Sequence, residues 1–421
     1  MPFREQLAFD PLQPTDRLVE QASDLGDVPR DREHLGAEPV ADGVADLNRD
    51  RRLEAGGNFC KGFDLQARAF ERGLDQCRLG ATRDCVGDAL LSTFQGKYIH
   101  ERRGYSPRRM DTTLLDYELP GELIAQQPAA RRDDSRLLVY RRESAAIEHR
   151  VFSELPDLLS DELTVVNDTR VLRARLALRR ASGGSVEVLL LEERADGLWE
   201  GLARPSRRLR SGERLGQVEL VEPLGEGRWV MRLDGENEGE VPLPPYIHER
   251  LSDPERYQTV YAHEEGSAAA PTAGLHFTPE LLSRLEHVAV TLHVGIDTFR
   301  PIATDLIEDH RLLGERYRVS SAAWNRIESA KRVLAVGTTT VRTLETVART
   351  GDLSGRTDLF VMPGFEFRRV DALLTNFHLP RSSLLALVMA FAGVGETREI
   401  YRAAIAERYR FYSFGDAMLV F

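Results

Sequence analysis

Four short segments in the C-terminal half carry residue types suited to acid–base chemistry and to gripping a charged ligand. Residues 270–278 (APTAGLHFT) set small residues and Gly274 beside Thr272 and His276. Small residues let a backbone approach a ligand closely. A histidine just ahead of a helix N-terminus can act as acid, base or donor, or simply cap local backbone. Residues 292–300 (LHVGIDTFR) run from an apolar strand through Gly295 to Asp297, Thr298 and Arg300, with His293 at the strand end. Polar groups at the carboxyl ends of α/β strands are where ligands usually sit, although a single histidine there is more often a satisfied core residue. Residues 336–343 (VGTTTVRT) read as strand, glycine, hydroxyl run and helix start. That pattern offers Gly337, Thr338 and Thr339 as an anion- or carboxylate-binding end, with Arg342 one turn in. The spacing and lysine of a P-loop are missing. Residues 375–383 (TNFHLPRSS) again feed a strand into a polar loop with Asn376, His378 and Arg381, followed by a Ser-capped helix. Four such strand ends favour a site over mere turn chemistry.

These loops need a scaffold, and the patterning supplies one. Residues 135–141 and 163–167 are compact apolar runs fit for buried strands, with a helix near 151–159, and 114–119 read as a short strand before a turn. Residues 175–180, 185–192, 198–203, 217–221 and 229–233 are short strands divided by Gly, Ser and Asp turns, the texture of a small antiparallel β-barrel or sandwich. Pro242, Pro244 and Pro245 close it with a stiff linker. Beyond Pro271 the texture becomes α/β. Thr278-Pro279-Glu280 opens a helix, 287–294 is a strand, 322–330 a helix, 332–336 a strand and 338–349 a helix. Then 372–376 is a strand, 382–392 a helix stopped by Gly393, and 396–409 the last long helix. The expected fold is a layered α/β core formed by 110–172 and 262–421, with a β-barrel-like domain inserted at 173–261.

Residues 1–109 differ: charges are scattered and apolar periodicity is broken, as in marginally ordered chain. They are expected to be a poorly ordered extension, either a regulatory or RNA-binding tail or upstream sequence read from a start placed too early. On that reading the working protein begins near Met110. All three cysteines, Cys60, Cys77 and Cys85, lie in this extension, so thiol catalysis is excluded in the rest. No Cys or His spacing suggests zinc. The chain has 421 residues and a net charge of −11, so a nucleic-acid partner must be met by local arginine clusters. Two exist around the barrel: Arg170, Arg173, Arg175, Arg179 and Arg180, then Arg204, Arg207, Arg208 and Arg210. Such runs are usually solvated faces, but they also suit phosphate contacts. No stretch approaches the ~20 apolar residues that span a bilayer, and the first residues carry no secretory pattern. A cytoplasmic, monomeric protein is expected.

The segments DYELPGELIAQQP, RDDSRLLV, VVNDTRVLRARL, APTAGLHFTPELL, HVGIDTFRP, AVGTTTVRTLE, VDALLTNFHLPRSSLLALVMAFAG and YRFYSFGDAMLV occur in this order. In that combination the chain resembles the S-adenosylmethionine:tRNA ribosyltransferase-isomerases of queuosine biosynthesis, over essentially all of 111–421. The resemblance implies a tRNA substrate carrying 7-aminomethyl-7-deazaguanine at the wobble position. It implies S-adenosylmethionine consumed as a ribosyl donor, with epoxyqueuosine, adenine and methionine as products and no metal. Such chemistry needs a base for the carbon next to the sulfonium, a donor to the departing adenine, and grips for the methionine carboxylate and ammonium. The candidate base is His276 or Glu315. Arg342 with the helix start at 337–340 is the candidate carboxylate grip, and Asp297 or Asp168 would hold an ammonium or ribose hydroxyls. Thr272, Gly274 and His293 join the cofactor side, while Arg170, Arg173, Arg207, Asn376, His378 and Arg381 join the tRNA or substrate side. The family's His-x-Met-His-x-Glu pattern reads here as HRLLGE at 310–315, so the second histidine is Leu313. Either that histidine is dispensable or this chain compensates for it.

Two other classes compete. A non-catalytic tRNA- or adenosyl-binding protein would keep the barrel arginines but lose the polar strand ends, which this chain retains. An S-adenosylmethionine-dependent methyltransferase would show a Gly-rich turn after the first strand and an acid after the second, and neither is found.

Overall fold

The computed structural model describes residues 109–235, 237, 239–295 and 301–421. The expected extension at 1–109, apart from Arg109, and the candidate Asp297 lie outside the described residues.

The first strands are β1 (Arg136–Arg141), β2 (Ala146–Val151) and β3 (Glu162–Asn167), with the short helix α1 (Leu155–Leu158) between the last two. After β4 (Thr169–Val171) come six antiparallel strands, β5 (Arg175–Arg179), β6 (Ser185–Glu193), β7 (Trp199–Arg204), β8 (Arg214–Leu215), β9 (Val218–Gly225) and β10 (Arg228–Leu233). The chain returns through β11 (Glu264–Ser267), parallel to β4. It then builds α2 (Pro279–Ser283), β12 (His287–Leu292), β13 (Glu315–Arg318), α3 (Ser321–Ser329), β14 (Arg332–Val336) and α4 (Thr338–Thr350). β15 (Ser354–Thr357), β16 (Ala372–Asn376), α5 (Ser383–Ala392), α6 (Val394–Ala406) and β17 (Ala417–Val420) complete it.

Nine strands form one mixed sheet in the order β15-β13-β12-β3-β14-β16-β17-β1-β2. Its centre, β12-β3-β14-β16, is parallel. Parallel strands are buried on both faces, which explains their unbroken apolar runs. The period of two is visible in the packing. Val333, Ala335, Leu373, Met418 and Val420 enter one core together with α4, α5 and α6. Leu334, Val336, Leu374, Ala417 and Leu419 enter the other, against Phe152, Leu155, Phe277 and Leu281. Each fully buried Leu or Phe contributes about 1.5–3 kcal/mol, so both faces are strongly specified. This is the layered α/β core expected from the sequence.

The inserted sheet runs β5-β6-β7-β10-β9-β8 around Leu176, Val188, Leu190, Leu220, Trp229 and Met231. Its two edges approach each other where Arg180 Nε donates to Glu213 Oε1 at 2.6 Å, giving a nearly closed, barrel-like shape. Past the barrel, Glu240 pairs with Arg175, and Tyr246, Ile247 and Tyr257 pack into the larger core.

Several local expectations change. Residues 114–119 are not a strand: 3-10 turns at Thr112–Leu115 and Gly121–Leu123 take their place, because the Asp111 carboxylate caps the first by accepting the Thr113 N–H. The strand expected at 287–294 stops at Leu292, and the last helix runs Val394–Ala406 instead of 396–409. Gly393, at φ +105°, ends α5 and lets α6 begin at once.

Candidate active site

The parallel pair β14 and β16 ends at Gly337 and Asn376, facing the 3-10 turn Thr272–His276. Between them lies a cleft lined by Thr272, Thr338, Thr339, Asn376, His378 and Tyr246, among others. Gly337 makes the turn possible: its φ of +88° suits only glycine, and its N–H bonds Leu374 O at 2.7 Å. The first N–H groups of α4 are thereby set at the cleft with the positive end of the helix dipole. Asn167 steadies this start by donating to Thr339 Oγ1 at 3.2 Å. Gly274 is also obligatory, since a Cβ there would sit 2.0 Å from the Tyr261 hydroxyl.

His276 is buried, and both ring nitrogens are engaged. Nδ1 meets Ser135 Oγ at 2.8 Å and Nε2 meets Asn376 Nδ2 at 3.1 Å. Burial, with Arg410 and Arg132 nearby, pushes its pKa down to about 3, so the ring is neutral. His378 is likewise held at about 3 by burial. Its Nε2 meets Thr375 Oγ1 at 2.8 Å, and its peptide N–H bonds the Tyr401 hydroxyl at 2.9 Å. Neutral imidazoles in a poorly hydrated wall act as hydrogen-bonding groups rather than as charges.

A second cleft opens on the barrel side, lined by His293, Gly295, Leu313 and Glu315 from the core and by Glu192, Glu200 and Arg228 from the barrel. Val294 borders both clefts. The buried Glu315 carboxylate takes the Gly295 N–H on Oε1 at 2.7 Å and an Arg342 N–H on Oε2. His293 Nδ1 meets Thr169 Oγ1 at 2.9 Å, and burial lowers its pKa. Leu313 is 48% exposed at the rim. A third, wider groove between core and barrel carries Arg170, Arg173, Arg316, Trp199 and Glu255.

Thr272, Gly337, Thr338, Thr339, Asn376 and His378 thus share one cleft, while His293 and Glu315 share its neighbour. Gly274 and His276 stand behind the first. Other candidates point elsewhere. Arg342 starts near the helix end, but its guanidinium is bonded to Glu315 and to the carbonyls of Leu359 and Thr357. Asp168 accepts from Thr291 Oγ1 at 2.7 Å, and burial raises its pKa. Arg381, at φ +55°, forms a two-pronged ion pair with Asp116. Arg170 pairs with Glu255 at 2.8 Å, and Arg207 is exposed on a barrel loop.

Sequence reasoning missed Ser135, the Tyr246–Ser413 hydroxyl pair at 2.6 Å, and Glu192. Glu192 accepts from Arg356 at 2.9 Å and Arg316 at 3.0 Å, tying barrel to core. Ser135 and Ser413 stand at no apolar-to-polar strand end, and Glu192 closes a strand of the barrel rather than one of the α/β core. Among the described residues no helix is long and apolar enough to cross a membrane.

Residues 112–420 match the family described as "Queuosine biosynthesis protein". The S-adenosylmethionine:tRNA ribosyltransferase-isomerase of Rubrobacter xylanophilus is 54% identical over 327 residues, covering 74% of this chain and 98% of that one. The protein of the same name from Moorella thermoacetica is 51% identical over 338 residues, with coverage of 73% and 98%. A crystal structure of the S-adenosylmethionine tRNA ribosyltransferase of Thermotoga maritima is 38% identical, covering 73% of this chain and all of that one at a TM-score of 0.43.

Proposed function

This chain belongs to the family of queuosine biosynthesis proteins, and from that premise we propose that it transfers and isomerises the ribosyl part of S-adenosylmethionine onto 7-aminomethyl-7-deazaguanine at the tRNA wobble position. The products are epoxyqueuosine-tRNA, adenine and methionine. The observation that carries the reading is the meeting of polar strand ends in two clefts that share Val294. One offers a helix start and neutral hydrogen-bonding groups. The other offers a buried carboxylate.

The roles follow from where each group stands and what holds it. The N–H groups of Thr338 and Thr339 at the start of α4 suit the methionine carboxylate without any help from Arg342. Of the two bases left open by the sequence, Glu315 suits the task and His276 does not. An imidazole with both nitrogens bonded inside the protein has no lone pair to offer a C–H. Glu315 presents a carboxylate, held by the Gly295 N–H and by Arg342, at the border of the second cleft. It takes the proton from the carbon next to the sulfonium. The aminomethyl nitrogen then attacks the sugar fragment as adenine departs, and epoxide closure releases methionine. The groove carrying Arg170 and Arg173 suits tRNA phosphates.

The test is to incubate the full chain with S-adenosylmethionine and tRNA bearing the 7-aminomethyl base, following adenine release and the mass of the digested nucleoside. Adenine appearing with a ribosyl-type mass gain is expected. A folded protein that binds the tRNA and yields neither product overturns the reading.

A further inference from the structure

The wall of the first cleft contains a hydrogen-bond chain whose polarity is fixed from both ends. At one end Asn376 lies 3.3 Å from the carbonyl of Asp416 and 3.1 Å from His276 Nε2 through the same amide atom. A carbonyl only accepts, so that atom is the NH2 group and Oδ1 faces the other way. At the other end Ser135 Oγ lies 3.2 Å from the carbonyl of Arg132, so its proton points there. His276 is left with one arrangement: Nδ1–H donates to Ser135 Oγ, and Nε2 accepts from Asn376. Asn376 Oδ1 in turn receives the Thr272 hydroxyl proton at 2.9 Å.

The consequence falls on Thr272, which is half-buried and lines the cleft. Its single proton is committed to Asn376, so toward a ligand its oxygen can only accept. We infer that Thr272 is a specificity-determining residue whose Oγ takes an N–H of the S-adenosylmethionine substrate, and that His276 is a positioning residue that, together with the Asp416 carbonyl, holds the Asn376 amide in this polarity. This rests on the proposed ribosyl transfer and adds to it the polarity of one contact. The substrate has two kinds of N–H donor, the methionine ammonium and the adenine amine. Thr272 serves the one that reaches it.

The products separate the two as inhibitors, because adenine carries the exocyclic amine and methionine the ammonium. Thr272→Val keeps the shape and removes the acceptor. It should weaken inhibition by one product about tenfold, the size of one hydrogen bond at ~1.4 kcal/mol, and leave the other within about twofold. Thr272→Ser should restore the wild-type pattern. His276→Gln, whose carbonyl can still accept from Asn376, should hold that pattern, and His276→Phe, which leaves the Asp416 carbonyl as the other acceptor of the Asn376 amide, should give a smaller loss toward the same product, with KM for S-adenosylmethionine rising more than kcat falls. Should His276→Phe fail to fold, the Thr272 pair decides alone. Unchanged inhibition of Thr272→Val by both products overturns the inference, as does an equal loss for both. A wild-type protein that releases no adenine overturns the parent reading and this one with it. A wild-type protein that releases adenine while Thr272→Val stays unchanged overturns this one only.

Discussion

Glu315 and Arg342 form a buried ion pair between the strand β13 and the helix α4, with side-chain exposures of 7% and 9%. The pair is supported on both sides. Arg342 also donates to Leu359 O at 2.9 Å and Thr357 O at 3.1 Å, and Glu315 also accepts the Gly295 N–H at 2.7 Å. Arg342 therefore sets the position of the carboxylate proposed as base, and Gly295 links that carboxylate to the strand end following His293. A charge removed from such a pair strands its partner in a poorly polarisable interior.

Stability and catalysis should separate when this pair is altered. Arg342→Ala removes the guanidinium from the buried Glu315 carboxylate, and is expected to cost about 3–5 kcal/mol. The double change Glu315→Leu with Arg342→Met should recover most of that loss, because two apolar side chains remove both desolvation penalties. It should not recover adenine release. Urea unfolding paired with the adenine assay reads both. Activity in the folded double variant would remove Glu315 from the chemistry.

The buried histidines set an acid limit on stability. His276 and His378 each have a folded-state pKa of about 3, against an ordinary value of 6.5. Below pH 6.5 the unfolded chain binds protons at these positions that the folded chain refuses, so stability is complete above that value and is lost as pH falls toward 3. Each fully buried ring contributes a slope of up to about 1.4 kcal/mol per pH unit. His293, partly buried with its pKa also lowered, acts in the same direction. Urea unfolding between pH 7.5 and 5 should show the decline, and His378→Gln should make it shallower. A flat profile in the wild type would mean that water reaches these rings.

The central strands could be read from the sequence because they are buried on both faces and their apolar runs are unbroken, as in 332–336 and 372–376. Gly337 and Gly393 marked their turns because only glycine takes their φ values. The edge strand β15 (SGRT) and its neighbour β13 (ERYR) were invisible, since these short strands at the end of the sheet carry little apolar content. The direction of Arg342 was hidden for the same reason: its partner Glu315 sits on one of those unread strands, 27 residues away. His276 looked like a base because its saturation comes from Ser135, 141 residues earlier and across the whole barrel insertion. Residue type and local spacing singled out several of the residues that line these clefts. They could not show which lone pairs were already taken.

The two arginine clusters around the barrel should not contribute equally to tRNA binding. Arg173 lines the groove between core and barrel, alongside Arg170, Arg316 and Trp199, whereas Arg207 is exposed on a barrel loop and is not among the groove residues. Phosphate contacts release counterions, and each one lost lowers the slope of log affinity against log salt by about 0.7–0.9. Arg173→Gln is therefore expected to weaken tRNA binding and reduce that slope by about one contact, with KM for S-adenosylmethionine unmoved. Arg207→Gln should change the slope by less than half as much. Binding isotherms for the full chain at several salt concentrations measure both. If Arg207→Gln has the larger effect, the tRNA backbone crosses the outer loop of the barrel and the groove holds something other than phosphate.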